Sequence, residues 1–312
     1  PKVMILDEPT SFLDIEHKLQ ILSVLEKLAR EKKTAVIQSL HELDLAQKFS
    51  DVVLCIKDGK ADRCGSPEEI FTNEYICELT LKSLMLVVLE GLDGAGKSTQ
   101  VRKLKEYLEG VCPVLEYIHF PRYDAPVYGG LISSFLRGDF GSNDSVHPQL
   151  VALLFAEDRH GAAPSMRRTL AGGGTVLLDR YVYSNIAYQC AKIQDPEQRE
   201  DLREWILNTE YGDFSLPRPD LNIFLDVPID FVESRLEASR KGSDREYLHG
   251  ARDIHEASID FQKRVRDIYL RQSSLDPNFI RVDCSDAHGR MLDPESIFSG
   301  IRAVVDEYLA NS

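Results

Sequence analysis

The stretch Leu86–Ser98 reads Leu-Val-Val-Leu-Glu-Gly-Leu-Asp-Gly-Ala-Gly-Lys-Ser, an apolar run followed at once by Gly-x-x-x-x-Gly-Lys-Ser. The apolar run is continuous, which is typical of a strand buried on both faces of a parallel sheet. The glycines allow backbone N–H groups to approach an anion closely, so this pattern predicts a phosphate-binding loop. Val101, Leu104 and Leu108 then recur at helical spacing, which places a helix N-terminus toward the phosphate.

The loop residues have distinct expected tasks in a nucleoside triphosphate site. Lys97 should reach the β- and γ-phosphates, and Ser98 should offer its hydroxyl to Mg²⁺ bound with ATP. A strand before the loop and a helix after it distinguish this stretch from a chance glycine-rich match. The predicted ATP site comprises Gly91, Leu92, Asp93, Gly94, Ala95, Gly96, Lys97, Ser98 and Thr99.

Composition limits the class of protein. The chain has 312 residues, which suffices for two domains, and its formal net charge of −14 argues against a nucleic-acid partner. No apolar run of about 18 residues occurs, so we predict no insertion into a membrane. The six cysteines are scattered, which predicts reduced thiols in a cytoplasmic protein without zinc. Because residue 1 is proline, we expect a fragment or a processed chain.

Residues before the loop contain a second set of motifs. An apolar strand ends at Asp7 and Glu8, an amphipathic helix spans Ile15–Arg30, and a second strand spans Thr34–Gln38. The sequences Leu-Asp-Glu-Pro-Thr-Ser-x-Leu-Asp and Ser-Leu-His-Glu-Leu-Asp accompany these elements. This segment resembles the C-terminal half of an ABC transporter ATPase subunit.

That resemblance implies roles for four residues of the N-terminal segment. Asp7, Glu8, Asp14 and His41 match the Walker B aspartate, the catalytic glutamate, the D-loop aspartate and the switch histidine. The phosphate loop and the Leu-Ser-Gly-Gly-Gln signature of that family are missing before Asp7. We therefore predict that residues 1–80 form a partial domain without ATPase activity, in which His41 is structural. Two alternatives are an ATP-binding fragment of an ABC-type importer and a tether to a partner.

From Met85 onward, apolar strands alternate with helical patterns over residues 85–312. The predicted strands are Leu86–Leu89, Val114–Ile118, Thr175–Leu178, Leu221–Leu225 and Phe279–Val282. The predicted helices are Lys97–Leu108, Gln149–Arg159, Asp230–Ala238, Ile254–Leu270 and Pro294–Leu309. Repeated βα units predict an α/β domain with a five-stranded parallel sheet, helices on both faces, and a ligand at the carboxyl ends of the strands.

Polar and aromatic residues follow the predicted strands. Phe120 and Arg122 follow the second strand, and Asp179 and Arg180 follow the third. Asp179 and Arg180 taken alone could form a surface ion pair, and Arg122 could be a solvated loop residue. Their place at strand ends favours a role in ligand binding.

Phe155 and Arg159 are four residues apart on a predicted helix and therefore share one face. Phe155 alone would be equally typical of core packing. An aromatic plane beside a guanidinium donor suits a flat base that carries a carbonyl oxygen.

Several motifs together identify the second domain as similar to thymidylate kinase. They are Glu-Gly-Leu-Asp-Gly-Ala-Gly-Lys-Ser-Thr-Gln, Phe-Pro-Arg, Leu-Leu-Phe-Ala, Asp-Arg-Tyr, Ser-x-x-Ala-Tyr-Gln and Leu-Asp-Val-Pro. The resemblance implies a P-loop nucleoside monophosphate kinase fold and a cytoplasmic homodimer. It also implies Mg²⁺- and ATP-dependent phosphorylation of dTMP to dTDP, a step in dTTP biosynthesis.

The resemblance also implies residue roles. Phe155 should stack on thymine, and Arg159 should donate to an exocyclic oxygen of the base. Asp93 should lie near the line between donor and acceptor. Further expected contacts are Arg122 and Arg180 to the dTMP phosphate, Ser98 and Asp179 to Mg²⁺ or its waters, and Phe120, Tyr188 and Gln189 in the nucleoside pocket.

A mobile lid is expected between Ala238 and Ala257, because the segment is charged and contains glycine. Some thymidylate kinases carry a catalytic arginine in the phosphate loop, where this chain has Gly94. The resemblance therefore implies that the lid supplies it, as Arg245 or Arg240, and we favour Arg245. The other lid charges are expected to be solvated, and His255 to be exposed.

Overall fold

A computed structural model describes residues 2–7, 9–10, 15–40, 43–57, 60–71, 85–112, 114–238, 248 and 253–311. The chain divides into two compact units, Pro1–Leu81 and Lys82–Ser312. In the described part of the chain, no helix combines the length and apolar content that crossing a bilayer requires.

The first unit contains two small sheets. Its elements are β1 (Val3–Leu6), α1 (Ile15–Lys32), β2 (Ala35–Gln38), α2 (Leu43–Phe49), β3 (Val53–Lys57), β4 (Lys60–Gly65) and α3 (Pro67–Ile70). Strands β1 and β2 are parallel, whereas β3 and β4 are antiparallel. The predicted strand, helix and strand are all present, with ends that differ by a few residues.

One face of the β1–β2 sheet is packed and the other is exposed. Leu22 and Leu25 of α1 and Leu45 of α2 form a buried cluster, against which Met4 and Val36 pack. The alternate side chains point outward, and Ile5 is 75% exposed. Parallel strands are normally covered on both faces. In the described residues of the first unit, the outer face of this sheet therefore stays exposed.

The second unit is built on the predicted parallel sheet of five strands. The strands are β5 (Met85–Gly91), β6 (Leu115–His119), β7 (Thr175–Asp179), β8 (Leu221–Asp226) and β9 (Phe279–Asp283), in the order β6-β7-β5-β8-β9. All neighbouring strands are parallel, and every residue of β5 is buried. Strand β5 is thus the central strand, and its carboxyl end delivers the phosphate loop to the middle of the sheet edge.

Helices surround this sheet. They are α4 (Lys97–Val111), α5 (Tyr128–Arg137), α6 (Pro148–Ala171), α7 (Val182–Cys190), α8 (Pro196–Leu207), α9 (Ile229–Glu237), α10 (Ile259–Leu275) and α11 (Pro294–Asn311). A π-helix follows α8 at Asn208–Asp213, and a 3₁₀ turn spans Ile254–Ala257. The predicted fold class is confirmed.

Two predicted helix boundaries were wrong. The helix predicted over Ile254–Leu270 is interrupted because Ser258 has extended backbone angles and its Oγ accepts the N–H of Phe261, which starts α10. Helix α6 continues to Ala171 through Pro164. Proline removes one helical hydrogen bond, so the sequence pattern favoured an earlier end.

Helix α7 was not predicted because it lacks an amphipathic pattern. All of its residues except Ser184 are buried, so apolar and polar positions do not separate onto two faces. Helix α7 nevertheless carries several of the polar side chains that line the cleft described below.

The central strand should dominate the stability of the second unit. We expect Leu89→Ala, which empties a fully buried position of β5, to lower the free energy of unfolding by about 2–5 kcal/mol. Leu275→Ala, at a position 50% exposed at the end of α10, should change it by less than about 1 kcal/mol. Trp205, the single tryptophan of the chain, lies in α8, so its fluorescence during urea denaturation follows this unit alone. Equal losses in the two variants would contradict this architecture.

Candidate active site

A cleft of about 980 Å³ opens where β5, β6 and β7 end. Polar residues that the sequence assigned to different motifs meet in its wall. The predicted site residues that line it are Leu92–Thr99, Phe120, Phe155, Arg159, Asp179, Arg180, Tyr188 and Gln189. Parallel strands present their carboxyl ends at one edge of the sheet, and this is why residues distant in sequence converge.

The phosphate loop has the backbone conformation that glycine permits. Gly94 and Gly96 have φ angles of 80° and 74°, in the left-handed region that side chains with a Cβ rarely adopt. Gly96 is the N-cap of α4, so the first N–H groups of this helix lie beside the loop. The loop can therefore hold an anion through backbone groups and the partial positive charge of the helix end.

Lys97 lies inside the cleft and forms a buried ion pair with Asp179. The other oxygen of Asp179 lies 3.1 Å from Nδ1 of His119. Burial opposes ionisation of this carboxyl, but Lys97 and His119 together outweigh burial and hold the pKa of Asp179 well below its usual range. The alternative of a surface ion pair between Asp179 and Arg180 is wrong, because Asp179 is buried and pairs with Lys97.

Asp93 joins the phosphate loop to three other side chains. Its carboxylate accepts hydrogen bonds from Nη2 of Arg180 at 2.7 Å, the hydroxyl of Tyr188 at 2.7 Å and Nε2 of Gln262 at 3.1 Å. Burial opposes ionisation of Asp93, yet the guanidinium of Arg180 keeps its pKa below the usual value. Arg180 also lies over the ring of Tyr188, 5.2 Å from its centroid. These contacts give the guanidinium a defined direction in the cleft.

Arg159 is held by a carboxylate that the sequence analysis did not identify. Its Nε and Nη2 donate to the two oxygens of Glu210 at 2.5 and 2.7 Å, in the π-helix after α8. Nδ2 of Asn185 donates to the same carboxylate at 2.8 Å and to the carbonyl of Ala152. Oδ1 of Asn185 is buried without a hydrogen-bond partner. The two hydrogen bonds from Arg159 to Glu210 use Nε and Nη2 and leave Nη1 out, and both residues line the cleft. They form an adjacent donor and acceptor.

Phe155 is half-buried on the same helix as Arg159. Its ring meets Phe135 edge to face at a centroid distance of 6.4 Å, and it packs against the cluster of Ile132, Leu136 and Val151. Because Phe155 also lines the cleft, both the packing and the binding interpretation have structural support.

Two predicted site residues are not in the cleft wall as described. The side chain of Arg122 is held by Asp158, with Nε at 2.9 Å from the carboxylate and Nη2 at 2.5 Å from the carbonyl. Gly91 is buried within β5. Arg122 is therefore neither a solvated loop residue nor part of the described lining.

The lid arginines Arg240 and Arg245 lie outside the described residues. The segment that follows them returns to the cleft, where Asp253, His255 and Glu256 contribute to the wall. The expectation of an exposed His255 was wrong, since this residue is buried. Burial lowers the pKa of His255 to about 3, so the imidazole is neutral at physiological pH.

The family model for thymidylate kinase matches residues 89–291. The chain belongs to the thymidylate kinase family. Thymidylate kinase of Mycobacterium tuberculosis is 33% identical over 186 residues, which cover 59% of this chain and 84% of that protein. The enzyme of Bifidobacterium longum subsp. infantis is 31% identical over 232 residues, covering 73% and 88%. The structure of thymidylate kinase from Candida albicans aligns with a TM-score of 0.54 and 26% identity, over 72% of this chain and 91% of that chain.

The N-terminal segment has a different relative. An uncharacterized ABC transporter ATP-binding protein of Methanocaldococcus jannaschii is 46% identical over 79 residues, or 25% of this chain and 27% of that protein. Of the four motif residues, only Asp7 is described, and it accepts a hydrogen bond from Oγ of Ser39 at 2.7 Å. Glu8, Asp14 and His41 lie outside the described residues. The thymidylate kinase family match thus begins after a segment related to another family.

The residues that could hold Mg²⁺ with a nucleotide are oxygen donors. Ser98 supplies a hydroxyl and Asp179 a carboxylate, which are ligand types that Mg²⁺ prefers, and both line the cleft. In the described part of the chain, no group of three or more histidine, cysteine or acidic residues is arranged to hold a metal. This donor set fits a Mg²⁺ ion that is held mainly by phosphates and water.

Sequence reasoning missed Asn185, Glu210 and Glu90. Asn185 had a readable signal, since it lies three and four residues before Tyr188 and Gln189 and shares their helix face. Glu210 had none, because a π-helix has no sequence pattern comparable to an amphipathic helix. Glu90 stands between an apolar run and the loop, where a polar residue could equally have faced solvent.

The Arg159–Glu210 pair should be essential to the folded site. Glu210→Ala would leave the buried Arg159 guanidinium without its carboxylate, and we expect a loss of about 3–5 kcal/mol in the free energy of unfolding. Glu200→Ala, which breaks exposed pairs with Arg203 and Arg271, should cost less than about 1 kcal/mol. Urea denaturation followed through Trp205 compares the two variants. Similar losses of unfolding free energy in the two variants would show that the Arg159–Glu210 pair stabilises the fold no more than the pairs of Glu200 do.

Proposed function

We propose that the second unit transfers the γ-phosphoryl group of ATP to dTMP and releases ADP and dTDP. One observation carries this proposal: a phosphate-binding loop and a pocket with a paired donor and acceptor share a single cleft. The family membership of the chain supports the identity of both substrates. A cleft with both features can hold the two nucleotides with their phosphates facing each other.

Phe155, Arg159 and Asn185 would recognise thymine. Nη1 of Arg159, which does not take part in the two bonds to Glu210, can donate to an exocyclic oxygen. Oδ1 of Asn185, which is buried without a partner, can accept the N3–H of the base. Phe155 can stack on the ring from the same helix. Glu210 fixes the direction of both polar side chains, so the complementary pattern exists before the base binds.

Lys97 and Arg180 would neutralise charge on the reacting phosphates. Transfer is expected to be direct and in line, without a covalent enzyme intermediate, so positioning and electrostatics supply the catalysis. Lys97 would serve the phosphates of ATP, and Arg180 the phosphate of dTMP. Asp93 would hold Arg180 in place through its 2.7 Å hydrogen bond. Ser98 and Asp179 would hold the Mg²⁺ that binds with ATP, which would supply further positive charge to the phosphates.

Arg245 in the lid would supply a cation to the transferring group. The phosphate loop has Gly94 where an arginine occurs in some related kinases, which favours a lid residue for this task. Closure of the lid would also exclude water, the competing acceptor of the phosphoryl group.

We propose that residues 1–80 are a partial ABC ATP-binding domain without ATPase activity of its own. The segment matches 27% of its relative, and residues 1–80 contain neither a Gly-x-x-x-x-Gly-Lys-Ser loop nor a Leu-Ser-Gly-Gly-Gln signature. This unit would therefore not contribute to ATP turnover by the chain.

A cytoplasmic homodimer is the assembly and location that we propose. The five described cysteines are all free thiols, which is typical of a reducing compartment. Leu131 on α5 and Leu150 and Leu153 on α6 are exposed apolar side chains on neighbouring helices, and they offer a surface for a second copy. A Leu150→Asp variant that remained dimeric by light scattering would contradict this surface.

Base recognition can be tested at Arg159. Arg159→Lys keeps a cation beside Glu210 but removes Nη1, so KM for dTMP should rise about 10- to 100-fold while kcat and KM for ATP change little. Arg203→Ala, which removes an arginine of α8 that contacts Glu200, serves as the control. Steady-state kinetics in a coupled ADP-release assay measure all three constants. An unchanged KM for dTMP would refute the proposed base contact.

The lid arginine can be assigned by a second comparison. Arg245→Ala should lower kcat about 100-fold or more with little change in KM, because its charge would act on the transferring group. Lys241→Ala removes a lid cation without an assigned role and should retain most activity. If Arg240→Ala lowered kcat and Arg245→Ala did not, Arg240 would be the catalytic arginine.

The inactivity of the N-terminal unit predicts how ATP is consumed. ADP release by the full chain should depend on dTMP, and Glu8→Gln should leave the rate unchanged. The same coupled assay, run with and without dTMP, measures both. ATP consumption without dTMP that Glu8→Gln abolishes would instead favour an ABC-type ATPase.

A further inference from the structure

Arg180 has an unusual backbone conformation for an arginine. Its φ angle is 68°, in the left-handed region that residues with a Cβ rarely occupy. Such conformations persist only where neighbouring contacts hold them, and they are frequent at functional sites. The contacts that hold Arg180 therefore bear on the direction of its guanidinium.

Both peptide groups that flank Arg180 are tied to the end of β5. The N–H of Arg180 donates to the carbonyl of Leu89 at 3.0 Å. The N–H of the next residue, Tyr181, donates to Oε1 of Glu90 at 3.0 Å. Because these two bonds fix the peptide planes on either side of Arg180, they determine its φ and ψ angles together. The partner of the Tyr181 N–H is the side chain of Glu90, and a substitution can therefore remove this hydrogen bond.

The carboxylate of Glu90 is completely buried and receives further hydrogen bonds. Its Oε1 also accepts the N–H of Ser184 at 3.2 Å, at the beginning of α7. Its Oε2 accepts the hydroxyls of Ser184 at 2.5 Å and of Tyr269 at 2.9 Å. Four donors from three residues thus converge on one side chain, which matches the acceptor capacity of a carboxylate.

Glu90 is also linked to the guanidinium itself. Oγ of Ser184, which donates to Glu90, accepts a hydrogen bond from Nη1 of Arg180 at 3.3 Å. Nη2 of Arg180 is held by Asp93 on the phosphate loop. The guanidinium is therefore held by Asp93 of the loop and by the hydroxyl of Ser184. Glu90 in turn holds that hydroxyl by accepting its hydrogen bond.

We propose that Glu90 is a positioning residue that holds Arg180 in its left-handed conformation, so that the guanidinium meets the phosphate of dTMP. This inference rests on the proposed role of Arg180 in binding that phosphate. Glu90 does not line the cleft as described, and it therefore acts only through Arg180 and the start of α7.

The test compares dTMP with thymidine, which has the same base and sugar but no phosphate. Using calorimetry on the full chain, we expect Glu90→Ala to weaken dTMP binding about 10- to 100-fold and thymidine binding less than about 3-fold. A residue that only supports the fold would weaken both ligands alike. The dissociation constant of ATP serves as a second reference.

Glu90→Gln separates geometry from charge. The carboxamide oxygen can still accept the two N–H groups, and its NH₂ can donate to the hydroxyls of Ser184 and Tyr269, which can turn to accept. We therefore expect Glu90→Gln to bind dTMP within about 3-fold of the unaltered protein. A 10-fold or larger loss of dTMP binding in Glu90→Gln would overturn the positioning role, and this criterion holds even if Glu90→Ala does not fold.

A milder pair of variants provides a matched control. Tyr269→Phe removes one donor to Glu90 and should weaken dTMP binding about 2- to 5-fold, again with thymidine spared. Tyr107→Phe removes a hydroxyl that donates to Asp306, between α4 and α11, and should affect neither ligand. Equal losses of dTMP and thymidine binding in Tyr269→Phe would contradict the proposal.

Arg180→Ala separates failure of this inference from failure of the proposed function. It should abolish the advantage of dTMP over thymidine, and adding Glu90→Ala to it should cause no further loss of dTMP binding. If Arg180→Ala kept that advantage, the proposed role of Arg180 and this inference would both fall. If Arg180→Ala lost it but Glu90→Ala kept it, only this inference would be overturned.

Discussion

The parallel pairing of β5 with β7 is the constraint on which the site depends. Its register sets Leu89 opposite Asp179, so the end of β5 and the end of β7 reach the same edge of the sheet together. Three contacts then cross from the first strand to the second: Glu90 to Tyr181, Asp93 to Arg180, and Lys97 to Asp179. Each joins a residue at or just after β5 to one at the end of β7 or just after it.

These crossings explain how an acidic protein can bind two anionic nucleotides. The net charge of −14 describes the whole chain, whereas the cleft concentrates Lys97, Arg159 and Arg180 among backbone N–H groups. Each of these three cations is paired with a carboxylate, which orients it inside the protein. Burial lowers the pKa of Lys97, whereas Arg159 and Arg180 have raised pKa values because nearby acidic groups outweigh their burial. Preorganised charge of this kind is what phosphoryl transfer requires, because the chemistry needs few other protein groups.

The fold of the second unit could be predicted because its strands are continuous apolar runs and its loop has a specific glycine pattern. The site could be predicted only where a motif carried it, as for Phe155, Arg159 and Asp179. Helix α7 and Glu210 could not be predicted, since one is buried on almost all sides and the other lies on a π-helix. The contact of Arg122 with Asp158 depends on tertiary packing, which the local sequence around either residue does not specify.

In the first unit, clear sequence motifs accompany a sheet with an exposed apolar face. Its motifs identify a relative clearly, yet the β1–β2 sheet leaves apolar side chains such as Ile5 and Ile37 exposed. The N-terminal segment aligns with 27% of the length of its ABC ATP-binding relative. Motif residues alone therefore do not imply activity, because the groups that would bind the nucleotide belong to other parts of such a domain.

The central claim is that the cleft binds ATP and dTMP together and transfers one phosphoryl group from the first to the second. Phosphorus NMR of the full chain with Mg²⁺, ATP and dTMP tests this directly, because it identifies every phosphorylated product. The account predicts that dTDP and ADP form in equal amounts and that inorganic phosphate stays at background. Formation of ADP with inorganic phosphate, and without dTDP, would contradict it.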